Sequence, residues 1–488
     1  MKRLLAIVAA LTLASCAVGP DFTKPAAPAG AGYAPEKLAD TAATKVAGGA
    51  AQHFAVGRDI PGEWWTLFHS PALNALVEAA LQHNPDLQAA QASLRQAREN
   101  ALAAQGGLYP SANGSVQHER EKFNGAGIGN SKLHSIFSFN TAEVSVAYSP
   151  DVFGGVRRGV EAAEAAADYQ RFQLEAAYLT LTSNVVGAAV QEANLRAQIA
   201  TTDDIIKVES DQLGLLEQQF RLGAVARTAV LQQEATLAQE KATLPPLRKQ
   251  LAQQRDRIAA LAGRFPNQPP GQTFELASLT LPQDLPVSLP SRLVEQRPDV
   301  RAAEATLHQA SAEIGVAISN MLPQFPLSAD IGTEATEIGS LFSSGTGIWS
   351  VVAGVTQPLF RGGTLLHQKR AADAAFDAAA AQYRGTVLTA FQNVADALRA
   401  LQSDADALQA STAAERFAAE SLGLARDQYR LGAVSYLALL NAETTYQQTR
   451  IALVQVQAAR YADTAALFQA LGGGWWNRAD VAQNQSRG

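Results

Sequence analysis

The sequence predicts a mainly α-helical protein with a small transmembrane β part, built as two copies of one long helical hairpin, and three observations carry that prediction. First, Gln219-Phe220-Arg221-Leu222-Gly223-Ala224-Val225 returns as Gln428-Tyr429-Arg430-Leu431-Gly432-Ala433-Val434, 209 positions later. Asn84-Pro85-Asp86 pairs with Arg297-Pro298-Asp299, and Gly154-Gly155 with Gly362-Gly363, at nearly the same spacing. A period of about 210 residues is too long for a solenoid unit and fits a duplicated module. Second, residues 158–222 and 365–431 are rich in Ala, Gln, Glu and Leu and hold no proline. Third, each half carries a pair of alternating polar and apolar segments of strand type.

The chain opens with a leader. Met1 to Ser15 has Lys2 and Arg3, an apolar stretch from Leu4 to Leu13, then small residues, the layout of a secretory signal peptide spanning 1–15. Cys16 is the single cysteine of the 488 residues, so a disulfide within the chain is excluded. Leu13-Ala14-Ser15-Cys16 reads as a lipobox, in which Cys16 becomes the acylated first residue of a lipoprotein. Ordinary cleavage is the alternative, since Ala14 and Cys16 also stand where an A-x-A pattern puts small residues. Ala17 occupies the place where Asp would signal retention in the inner membrane, which directs the anchor to the outer membrane.

Residues 16–61, rich in Ala, Gly and Pro without periodicity, read as an extended strap. The first repeat spans 62–262: a Trp64-Trp65 and Phe68 entry, a helix after Asn84-Pro85 that ends near Gly106-Gly107, a β-hairpin over 111–149, and a long helical hairpin over 158–262. Pro245-Pro246 predicts a kink in its returning helix. Residues 263–290 form a Pro-rich connector. The second repeat, 291–474, has its β-hairpin at 327–357 and its long helical hairpin at 365–471, and 475–488 is a polar tail.

The rods carry small or apolar residues at steps of three and four, as at Phe172, Ala176, Leu179, Ser183 and Val186, or Tyr383, Val387, Ala390 and Val394. These are heptad seams, so the rods pack as coiled coils. A rod of some 65 residues reaches roughly 100 Å at 1.5 Å per residue, longer than a globular domain needs. The strands alternate as half-buried strands do: Leu327, Ala329 and Ile331 against Ser328, Asp330 and Gly332, and Trp349, Val351 and Ala353 against Ser350, Val352 and Gly354. Strands of about ten residues cross a bilayer when tilted, whereas no later segment has the roughly 20 apolar residues of a membrane helix. Four strands cannot close a barrel, and an open edge in lipid leaves backbone groups unpaired. Two copies give eight strands and a filled interior; three give twelve and a lumen. The fold class is therefore mainly α, with duplicated helical hairpins forming an α-barrel and four strands per chain contributing to a trimeric 12-stranded β-barrel. Phe137, Phe139, Tyr148 and Trp349 read either as an interfacial aromatic girdle or as ordinary strand aromatics.

A formal net charge of −6 argues against nucleic acid as a partner, because phosphate binding requires a basic footprint. The seven histidines are scattered and no H-E-x-x-H or G-x-S-x-G occurs, so no catalytic site, no metal and no cofactor are expected. Gly125-Ala126-Gly127-Ile128-Gly129 has the composition of a phosphate loop, but it falls inside the predicted β-hairpin.

The order of motifs resembles outer-membrane factor lipoproteins of the TolC family, NodT-like branch. The resemblance is carried by the strap after Cys16, Trp64-Trp65, Asn84-Pro85-Asp86, the Pro-x-x-x-Gly-Gly pair at Pro150 and Pro358, the two Arg-Leu-Gly-Ala-Val turns, and Leu471-Gly472-Gly473-Gly474-Trp475. It implies a homotrimeric channel-tunnel of a tripartite efflux system, lipid-anchored in the outer membrane with its helical barrel in the periplasm. Such a channel passively conducts drugs or other small compounds from a periplasmic adaptor and an inner-membrane resistance-nodulation-division pump; the alternative is the outer-membrane tunnel of a type I protein secretion system. By position, the resemblance sets a periplasmic constriction at Tyr429, Arg430, Tyr436, Leu437, Leu440 and Asn441, with Arg221 and Arg227 at the first turn. Relatives often carry Asp where Asn441 stands, and Glu443 or Glu234 is the nearby source of charge. Arg221 and Arg430 also read simply as helix C-caps. Gly223 and Gly432 read as left-handed turn residues near which an adaptor rests.

Overall fold

The computed structural model describes residues 17–28, 32–33, 36, 38–124, 129 and 134–481. The leader, Cys16 and most of the 125–133 loop lie outside them. Helix α1 (Pro71–His83) starts on a proline, with the Ser70 hydroxyl accepting from the Leu73 amide at 3.4 Å. Helix α2 (Pro85–Gly106) follows, its first amides at Asp86 and Leu87 donating to Asn84 Oδ1 at 2.9 and 3.1 Å. After β2 (Ser111–Asn124) and β3 (His134–Tyr148) come α3 (Gly155–Arg221) and α4 (Arg227–Leu261). The second half repeats the order. It runs α5 (Pro290–Gln296), α6 (Pro298–Ser319), β5 (Leu327–Ala335), β6 (Gly347–Ala353), α7 (Thr364–Arg430) and α8 (Tyr436–Ala470). Strands β1 (His53–Val56) and β4 (Asp284–Val287) pair in parallel.

Both rods are 67 residues and both returning helices are 35. The match in length is what a duplicated module requires. Helix α4 remains one continuous helix although Pro245 and Pro246 lie inside it. Two missing amide donors therefore weaken the ladder without ending it.

The chain divides into two compact units, and their boundary cuts α2, α3, α6 and α7. The first, residues 1–24, 94–170 and 303–383, holds a four-stranded antiparallel sheet in the order β2-β3-β5-β6. β3 of the first half pairs with β5 of the second from Asn140↔Ala335 to Tyr148↔Leu327, a register of nine residues, so the two halves share one sheet. The β2–β3 ribbon is longer than ten-residue strands, continuing past Asn140 to the Asn124↔His134 pair, where β5 no longer accompanies it. Glu119, Arg120, Glu121 and Lys122 lie on that extension and are exposed. In the same unit the strap packs along α3: the buried Arg158 guanidinium donates to Asp21 Oδ1 at 2.6 Å, Glu161 Oε2 at 2.7 Å and Val18 O at 3.2 Å. Phe22 stacks on His308 with centroids 4.3 Å apart. A Cβ at Gly19 would fall 2.5 Å from Gly315 Cα, so two glycines admit the strap.

The second unit, residues 25–93, 171–302 and 384–488, is centred on aromatic packing. Trp64 and Phe68 are buried, Trp64 stacks on Phe468 at 5.2 Å, and the Trp475 indole donates to Gln296 O at 2.6 Å. These tryptophans are core residues. Gly473, at φ +67°, tolerates no side chain: a Cβ there would meet Leu179 Cδ1 at 2.3 Å.

Candidate functional site

The repeated seven-residue motif ends both rods with the same hydrogen bonds. Ala224 N donates to Gln219 O and Gly223 N to Phe220 O, as Ala433 N does to Gln428 O and Gly432 N to Tyr429 O, all at 2.9 Å. These pairs make a Schellman cap, which needs a left-handed residue just past the helix. Gly223 and Gly432 supply it, at φ +74° and +71°. A Cβ on either would meet nothing within 4 Å, so each glycine serves its backbone angle and leaves the tip open.

Beside the turns, Leu216, Val230, Leu422, Tyr436 and Leu439 form a buried apolar cluster, joined by the partly buried Tyr429, Leu440 and Val225. Tyr429 and Tyr436 meet edge-on at 5.9 Å. Helix α8 buries Tyr436, Leu439, Glu443 and Gln447, a seam with steps of three and four, while Leu437, Asn441 and Thr444 are exposed on another face. The sequence-derived constriction residues thus divide. Tyr436 lies in the seam with Tyr429 and Leu440 against it; Leu437 and Asn441 share an exposed face one turn apart; Arg221 and Arg227 are exposed; Arg430 is exposed and pairs with Asp427. A cleft of about 480 Å³ runs beside them, lined by Gln212, Leu215, Gly423, Arg426 and Asp427 among others.

Under the apolar cluster lies a polar network that joins all four helices of the hairpins. The Tyr436 hydroxyl donates to Gln233 Oε1, the Gln233 amide donates to Glu209 Oε2, and the Gln447 amide donates to Glu209 Oε1. Glu209 and Gln233 are 1% and 0% exposed. Arg426 on α7 donates to Glu443 Oε1 at 3.3 Å, while Glu443 Oε2 is buried without a hydrogen bond. Burial, then the nearby Glu209 charge, raises the Glu443 carboxyl to about 6 against the opposing pull of Arg426. Burial also raises the Tyr436 and Tyr429 phenols. Glu443 therefore turns its charge into the seam, whereas Glu234 is exposed. Sequence reasoning missed Glu209, Gln233, Gln447 and Arg426. The available signal was a polar residue on the seam-facing side of a coiled-coil helix, where its burial demands partners.

Among the described residues, no group of three or more His, Cys, Asp or Glu is arranged to hold a metal ion. No described helix is long and apolar enough to cross a membrane.

The family model for outer membrane efflux protein matches residues 76–264 and 289–473. The chain belongs to the outer membrane efflux protein family. The pyoverdine export outer membrane protein OpmQ of Pseudomonas putida is 30% identical over 417 residues, covering 84% of this chain and 88% of OpmQ. The cation efflux system protein CusC of Escherichia coli K12 is 28% identical over 97% of this chain and 99% of its own. Among solved structures, the outer-membrane channel OprN superposes with a TM-score of 0.84 at 28% identity, covering 94% of this chain and 100% of that one. The open state of the Neisseria gonorrhoeae MtrE outer membrane channel gives 0.79 at 27%, covering 95% of this chain and 99% of MtrE. This member of the outer membrane efflux protein family is accordingly an outer-membrane channel of an efflux system with the TolC-like fold. The family consists of transport channels.

Proposed function

We propose that three copies of this chain assemble into one channel-tunnel, docked on a periplasmic adaptor and an inner-membrane resistance-nodulation-division pump, through which drugs or other small compounds leave the cell. The observation that carries the trimer is the four-stranded sheet with β2 and β6 at its edges. Unpaired edge groups cost several kcal/mol each in lipid, and three copies close a twelve-stranded wall that leaves a lumen. Transport through it is passive; the pump supplies the energy. Cargo follows the pump, for similar relatives carry names as different as pyoverdine export and cation efflux.

The open hairpin tips at Gly223 and Gly432 are the adaptor contact. The constriction lies at the start of α8, with Leu437 and Asn441 toward the pore, Leu440, Tyr436 and Tyr429 packed behind them, and the arginines Arg221, Arg227 and Arg430 bracing the turns. Cys16 carries the lipid anchor. Its neighbour Ala17 supports that role, because it packs on Gly154, where an added Cβ would fall 2.5 Å from Ala17 Cα. Gly154 directly precedes α3 and follows β3 by a few residues, so Ala17, the residue next to Cys16, lies near a strand terminus.

Deleting the gene in a strain without redundant channels tests the reading: susceptibility rises for some compounds of a drug panel. Unchanged sensitivity to all of them overturns efflux. For the anchor, metabolic labelling with a fatty acid marks the parent and leaves the Cys16→Ser variant unlabelled; label on the variant rejects it.

A further inference from the structure

Glu443 is an uncommon residue for a coiled-coil seam. It is 2% exposed, one carboxylate oxygen has no hydrogen-bond partner among the described residues, and the cation bonded to it, Arg426, is itself half in solvent. The groups around it are unhelpful to a negative charge. From α3 it faces Glu209, whose side-chain oxygens are already taken by the amides of Gln233 on α4 and Gln447 on α8; on its own helix, Tyr436 donates away to Gln233. Glu240 of α4 also feels Glu209, and its carboxyl is raised first by burial. A neutral carboxyl suits this place, and a carboxylate strains it.

We propose that Glu443, set against Glu209, is a proton-sensitive lock between α8 and α3: protonated Glu443 holds the hairpin tips packed, and its ionisation loosens them. The sign follows from linkage. A carboxyl raised to about 6 in the packed state favours packing at low pH, and that contribution is lost as pH climbs through about 6. The lock therefore tightens in an acidified periplasm and eases near neutrality. Because α8 also bears Leu437, Leu440 and Asn441, the inference extends to passage only where the proposed constriction holds.

Hydrogen exchange of the full-length protein in detergent, corrected for intrinsic amide rates, tests the lock on peptides covering 205–216 and 436–450. Opening rises about tenfold between pH 5 and pH 7.5 in the parent, stays at its low-pH level in Glu443→Gln, and keeps the full rise in Glu234→Gln, the exposed residue at the equivalent position of the first repeat. A parent without the rise, or a Glu443→Gln variant that retains it, overturns the proposal. Bilayer conductance over the same pH range separates the two readings. If the exchange step is present and conductance does not follow it, the lock stands and the constriction assignment fails.

Discussion

The two hairpin tips carry the same seven-residue motif and the same cap, yet differ one turn away in either direction. Position by position, Glu209 of the first repeat corresponds to Ala418 of the second, Arg227 to Tyr436, Ala226 to Ser435, and Glu234 to Glu443. Glu209 and Glu443 are buried while Glu234 is exposed, and Arg227 is exposed while Tyr436 is buried. Ser435 accepts a hydrogen bond from the Ala438 amide at 3.3 Å; Ala226 offers its helix no side-chain cap. Duplication thus preserved the backbone turn, and divergence placed the polar network across the two copies. Each repeat contributes one buried glutamate to it, from different positions, and Tyr436 and Gln447 of the second repeat bond to Gln233 and Glu209 of the first.

The largest test of that asymmetry is Glu209→Ala. It strands the Gln447 amide in the seam and leaves the Gln233 amide only the backbone carbonyl of residue 209, at 3.1 Å, and thermal unfolding should register a loss of about 3 kcal/mol from two unmade charge-assisted bonds. The truncation at the equivalent position of the second rod, Ala418→Gly, removes no polar group and costs only about 1 kcal/mol of helix propensity. If both variants lose the same stability, the network is not what distinguishes the rods.

Tyr436→Phe removes one donor to Gln233 and keeps the ring in the apolar cluster, for an expected loss of about 1.5 kcal/mol. Arg227→Ala at the equivalent position should be silent in the same denaturation experiment. The turns themselves should behave alike. Gly223→Ala and Gly432→Ala each force a side chain into a left-handed backbone with free space around it, so each costs about 1 kcal/mol. A much larger loss at one of them would reveal a contact there that the other turn lacks. The smallest effects belong to the caps. Ser435→Ala should cost under about 1 kcal/mol, and Ala226→Ser should return a few tenths of that, equalising local exchange at the two helix starts.

Much of the architecture was legible because it is periodic. The heptad seam at Tyr383, Val387 and Ala390 and the absence of proline over 365–431 imply a rod, and α7 is one. Strand alternation around Leu327 to Thr333 implied a half-buried strand, and β5 is there. The ribbon of β2 and β3 was harder to delimit, since His118 to Lys122 is polar and only its pairing with Ile136 to Asn140 keeps it in strand geometry. Sequence position puts Glu443 near the aperture residues, but a helical face decides orientation, and Glu443 shares its face with Tyr436 and Gln447 rather than with Asn441.

Local rules determined by sequence alone are those in which a residue acts on its own backbone or at a fixed period: the left-handed glycines, the proline-started helices, the seams and the alternating strands. Which seam residues meet across α3, α4, α7 and α8 is set by packing between segments more than two hundred positions apart. No local preference encodes that Glu209 faces Gln447, or that one of two equivalent glutamates loses its water, because burial is a property of the neighbours a side chain acquires.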